Sequence, residues 1–116
     1  MPQHANGLHH HGYVERSTLS NALTAAERRM LEPDEVMHSP DEVAAWLAGT
    51  LRAAMGRSEE EVAFTDETEI WLAESDRGET IVTGLHEGPT ITAEAVYDSN
   101  CECERQLKAV PTKKRR

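Results

Sequence analysis

Aromatic side chains are scarce in this 116-residue chain: Tyr13, Trp46, Phe64, Trp71 and Tyr97 are all it has. With hydrophobic residues at 38%, its core is expected to be small, mostly aliphatic and confined to one domain. Long apolar runs are also missing. No stretch reaches the roughly 18–20 residues that cross a bilayer. The N-terminus lacks the basic segment and apolar centre of a secretory signal. The expected setting is therefore cytoplasmic, with no membrane contact. Cysteine is limited to Cys101 and Cys103. Two cysteines one residue apart rarely reach disulfide geometry, which argues against a disulfide-stapled scaffold and leaves two free thiols.

Positive charge is the largest shortage. Residues 32–104 hold 19 Asp and Glu against only Arg52, Arg57 and Arg77, a net −16. The whole chain is −9 because its ends are basic. Residues 105–116 carry +6, from Arg105, Lys108, Lys113, Lys114, Arg115 and Arg116. Like charges on a small body repel one another and destabilise the compact state. Such a surface attracts cationic partners and repels nucleic acid.

The charge and composition divide the chain into a flexible His-containing leader (1–15), an acidic domain (16–104) and a basic tail (105–116). Leu19, Leu23, Ala26 and Met30 recur at spacings of four, three and four, which predicts a helix over 18–31. Pro33 stops it. Ser39, Pro40 and Glu42 form a capping box with proline at the first helical position. Val43, Trp46, Leu47, Thr50, Leu51 and Ala54 then line one face, and Gly56 is a natural stop. This predicts a helix over 40–55, with Gly49 inside it allowing close approach of another element. After Gly56 short segments rich in β-branched and aromatic residues (62–65, 69–73, 80–85 and 90–97) read as strands. They are separated by the turn sequences 75–78 and 86–89. In the last strand Ile91, Ala93, Ala95 and Tyr97 point one way, and Thr90, Thr92 and Glu94 the other. The expected fold is α+β: two N-terminal helices packed on a small antiparallel sheet of three or four strands.

Four constellations could carry chemistry. The acidic residues are spread over loops and polar faces, and no spacing isolates an acid–base pair. The His and Cys residues (His4, His9, His10, His11, His38, His86, Cys101 and Cys103) are potential metal ligands. Their H-H-H and C-x-C spacings, however, match no closed zinc set. If Met1 is removed, His4 becomes the third residue, a position that can enclose Cu(II) or Ni(II). A thiol nucleophile is disfavoured because Glu102 and Glu104 oppose thiolate formation. The basic tail could bind nucleic acid or fold back on the acidic body. No catalytic residue, cofactor or resident metal is expected.

The segment 22–51, ALTAAERRMLEPDEVMHSPDEVAAWLAGTL, resembles the region entering the JAB domain of RadC-type proteins. The likeness rests on A-L-x-x-x-E-R-R, the Glu32-Pro33 linker, and S-P-x-x-V followed by Trp46-Leu47. The metal-binding H-x-H and downstream Asp of that family have no counterpart in or after residues 91–97, so its zinc chemistry is not implied. A non-catalytic module of a mobile-element protein would be. In size and charge the chain resembles anti-CRISPR and antirestriction inhibitors. That likeness implies a DNA mimic whose partner is a basic nucleic-acid-binding protein. The densest acidic block, Glu59, Glu60, Glu61, Asp66, Glu67 and Glu69, is the expected contact surface, with Glu74, Asp76 and Glu79 beside it.

Overall fold

The computed structural model describes residues 8–17, 22–28, 30–85 and 88–97. In chain order they form β1 (His9–Glu15), α1 (Ala25–Arg28), β2 (Glu35–Met37), α2 (Pro40–Met55), α3 (Thr65–Asp76), β3 (Ile81–Gly84) and β4 (Thr90–Val96). The strands make one antiparallel sheet in the order β2-β1-β4-β3. Between its helical face and α2 and α3 lies the apolar core: Val43, Leu47 and Leu51 of α2, Trp71 of α3, and Met37, Ile81 and Ile91 of the sheet. The α+β class and the antiparallel sheet agree with the sequence reading. The order of elements does not, because a strand opens the fold. Among the described residues no helix is long and apolar enough to cross a membrane.

α2 follows its sequence signals closely. Ser39 has extended backbone and accepts a bond from the Glu42 amide at 3.2 Å, while Glu42 Oε1 accepts from the His38 amide at 2.6 Å. The first bond satisfies a helix-end donor, and the second ties the residue before the cap to the first turn. At the other end Gly56 takes the left-handed conformation, φ 70°, that only glycine adopts without strain. Gly49 faces open space rather than a close neighbour.

Four expectations are corrected. Residues 9–15 are not a leader: they are β1, hydrogen-bonded to β2 on one edge and β4 on the other. Strand formation here comes from pairing on both edges, since the segment has no apolar alternation. Residues 1–7 and the basic tail lie outside the described residues. The helix expected over 18–31 is reduced to Ala25–Arg28 among the described residues, with Met30 84% exposed. Thr24 and Glu27 form a reciprocal cap, at 2.8 and 3.2 Å, that starts the helix at Ala25. Residues 62–73 are not two strands. Residues 62–64 form the approach to α3, and the rest belongs to that helix. Arg52 ties the approach to α2, donating to the carbonyls of Val62 at 2.7 Å and Ala63 at 3.2 Å, with its guanidinium 5.6 Å from the Phe64 ring centre. Phe64 in turn packs on Trp71 at 5.7 Å. These tertiary contacts override the β propensity of Val62, Phe64 and Ile70. The turn expected at 75–78 is the end of α3. The β3–β4 pair is the expected hairpin, although residues 86 and 87 are outside the described set.

Candidate functional site

The sheet face turned away from α2 and α3 is polar, as the alternation of β4 requires, yet it is buried. His9, His11, Tyr13 and Glu15 of β1 lie on this face beside Thr90, Thr92 and Glu94 of β4, and all are at most 9% exposed. Ser17, Leu23 and Arg28 bond to this face. Thr90 Oγ1 donates to the Ser17 carbonyl at 2.8 Å, the Leu23 amide donates to Glu15 Oε1 at 2.9 Å, and Arg28 Nε donates to Glu94 Oε1 at 2.6 Å. Charge and hydrogen bonding satisfy most of the layer, as burial demands. Glu15 Oε2 and Thr92 Oγ1 are buried without a bond.

Along β1 the imidazoles form a chain. His9 and His11 face each other through Nε2 atoms 3.1 Å apart, and the Tyr13 hydroxyl is 3.4 Å from His11 Nδ1. The His38 ring stacks on His9, 5.8 Å between centres. Burial first, and then the neighbouring His9, His10 and His38, push the His11 pKa down to about 4. His11 is therefore neutral at physiological pH. Holding one ring proton, it donates to one neighbour and accepts from the other. On the opposite face His10 Nε2 is 3.1 Å from the Glu79 carbonyl. Among the described residues no group of three or more His, Cys, Asp or Glu could hold a metal ion. His4, His86, Cys101 and Cys103 are not described.

The nine acidic residues expected at the contact surface fall on α3 and on the turns at either end of it. Eight are exposed and Glu74 is half-buried. Asp66, Ile70 and Ala73 run down the middle of the outer face of α3. Helical spacing places Glu69 and Asp76 on one side of that line, and Glu67 and Glu74 on the other. Ile70 is 54% exposed at the centre of this arc. α3 carries no basic residue, and its five carboxylates make no ion pair with a described residue. The arginines nearest in sequence are committed elsewhere. Arg52 holds backbone carbonyls, Arg57 meets Glu61 at 3.8 Å, and Arg77 meets Glu79 at 2.8 Å. The hydrogen bond between Arg77 and Glu79 raises the arginine pKa and lowers that of the carboxyl. Glu61 also forms a capping pair with Ser58, at 2.8 and 3.3 Å.

A third feature is a groove of about 450 Å³ between residues 35–38 and α2, where Glu42, Ala45 and Trp46 line it. Sequence reasoning singled out neither this groove nor the polar face. The period-two run His9-x-His11-x-Tyr13-x-Glu15 was the available signal for the latter. No protein-family model, curated protein or solved structure matches this chain. The likeness of residues 22–51 to RadC-type proteins therefore rests on its motifs alone.

Proposed function

We propose that this protein is a non-catalytic, acidic binding protein. Its α3 ridge docks on the cationic surface of a nucleic-acid-handling protein, and it inhibits that partner by charge mimicry, as anti-CRISPR and antirestriction inhibitors do. The observation that carries this reading is the set of five carboxylates on α3, none in an ion pair with a described residue. At about 1.5 Å per residue the 12-residue helix is about 18 Å long. Its five carboxylates, unevenly spaced over the middle and both flanks of the outer face, average one charge per about 3.6 Å of axis, a density similar to the roughly one charge per 3.4 Å of a single DNA strand. Glu59, Glu60, Glu61 and Glu79 extend the charge beyond both ends of the helix. Long-range attraction between such a ridge and a basic groove speeds encounter. Ile70 supplies apolar contact area at the centre, where binding energy concentrates.

The experiment is affinity capture from a lysate of the source organism, with the wild-type protein and with D66K/E67K/E69K/E74K as parallel baits. Charge mimicry predicts a captured nucleic-acid-binding protein that duplex DNA displaces and the reversed variant does not retain. Equal capture by both baits would remove α3 from the interface, and indifference to DNA would end the mimicry reading.

A further inference from the structure

The groove beside β2 has the chemistry of a cation site, and it lies apart from the α3 ridge. Its wall is built by register. Glu35 of β2 pairs with Gly12 of β1, and the six-membered ring of Trp46 rests on Gly12. The Glu35 side chain therefore leaves the sheet on the face that carries the indole, and both line the groove. One helical turn before Trp46 is Glu42, on the same side of α2. Its Oε1 receives the His38 amide, and Oε2 makes no hydrogen bond. Glu35 makes no side-chain hydrogen bond or ion pair with a described residue, and neither Lys nor Arg lines the groove, whose lining also includes His38, stacked on His9. A half-buried indole between two carboxylates attracts a cation through both ring quadrupole and charge. A bare metal ion is not favoured, because the described residues provide no ligand group of three. A planar guanidinium fits better, since it stacks on an aromatic face and offers donors to two carboxylates at once.

We propose that this groove receives an arginine side chain from an exposed basic segment of the partner protein. It would be a second anchor point beside the α3 ridge. The choice of occupant rests on the reading that the partner is cationic, but the site itself is testable without the partner. Among the described strands β2 pairs on one side only, and its outer edge is the approach for an extended peptide.

The test uses the full chain and two synthetic peptides, acetyl-Gly-Arg-Gly-Arg-Gly-Arg-Gly-amide and its citrulline counterpart. Citrulline keeps the shape of arginine and removes the charge. Binding is read from the amide and indole N–H resonances of the 15N-labelled protein. The arginine peptide is expected to shift the Trp46 indole and the amides of residues 35–46, and the citrulline peptide to bind at least tenfold more weakly. E35Q/E42Q, a surface change that leaves the core untouched, should weaken the arginine peptide about tenfold. The α3 variant D66K/E67K/E69K/E74K should change it less than threefold. Equal binding of the two peptides, shifts confined to α3, or no effect of E35Q/E42Q would overturn the groove site and leave the α3 reading standing. A reversed α3 variant that still holds the captured partner would overturn that reading instead. Tighter peptide binding after Lys113, Lys114, Arg115 and Arg116 are changed to Gln in the full chain would identify the chain's own basic end as the occupant. Displacement of the peptide by micromolar Zn²⁺ would identify a metal site. Either result would overturn the assignment to a partner arginine.

Discussion

Gly12 and Trp46 are a matched pair: a Cβ on Gly12 would stand 2.7 Å from the indole Cη2 and 2.8 Å from Cζ2. The ring closes one end of the core against β1 while lining the groove on its outer side. Gly12→Ala forces the ring to move, and overpacking of this kind costs about 1–3 kcal/mol. Urea denaturation of Gly12→Ala checks the cost. Trp46→Ala should cost less than the about 3–5 kcal/mol of a fully buried ring, because the indole is only half-buried. A loss of about 3–5 kcal/mol or more would contradict half-burial of the ring.

Arg28 and Glu94 join α1 to β4 across the polar face, with side chains 8% and 6% exposed. Arg28→Ala leaves the carboxylate buried without its cation and should destabilise by about 3–5 kcal/mol. Replacing both, as Arg28→Met with Glu94→Leu, should recover most of that loss, since a well-packed apolar pair often equals a buried ion pair. Thermal melts of the two variants make the comparison. A double variant no more stable than Arg28→Ala would show that the charges themselves hold α1 on β4.

His11 gives the fold a pH limit. Its folded pKa of about 4 lies below the ordinary 6.5, so the unfolded chain binds the proton first. Stability is then full above about pH 6.5, declines as pH falls toward 4, and levels below that. The loss is on the order of 1–3 kcal/mol. Guanidinium unfolding from pH 7.5 to 4 measures it, and His11→Phe should flatten the curve in that window. A wild-type curve as flat as the variant's would remove His11 as the cause.

Local chemistry made α2 legible. Ser39, Pro40 and Glu42 mark its start and Gly56 its end by the bonds and φ angle that the structure shows. β4 was legible because Ile91 and Ala93 alternate with Thr90, Thr92 and Glu94. Thr92 and Glu94 are nonetheless buried, because Tyr13 and Arg28 come from distant sequence to meet them. β1 was hidden for the same reason. Nothing in His9-His10-His11-Gly12 signals a core strand until both of its neighbours are in place. α3 was misread as strands because its polar and apolar residues have little helical contrast and it begins at Phe64 without a side-chain cap. Four of its five carboxylates are exposed and Glu74 is half-buried, but they sit on one helix and not on the loops and strand faces expected, because that helix was not visible in the sequence.

Ile70 separates steering from holding. Exposed charges set encounter rates, and buried apolar area sets lifetimes. Ile70→Ala should raise the dissociation rate from the captured partner several-fold and leave the association rate within about twofold. Biolayer interferometry reads both. An unchanged dissociation rate would place Ile70 outside the interface.

The central claim is that α3 meets its partner as a dense patch of phosphate-like charges. The direct measurement is the association rate constant with the captured partner, taken from 50 to 300 mM NaCl for the wild type and for D66K/E67K/E69K/E74K. Screening over about 8–10 Å at physiological ionic strength should make the wild-type rate fall steeply with salt. The variant should associate at least tenfold more slowly at low salt, with the two curves converging at high salt. Parallel curves of equal height would contradict charge mimicry by α3.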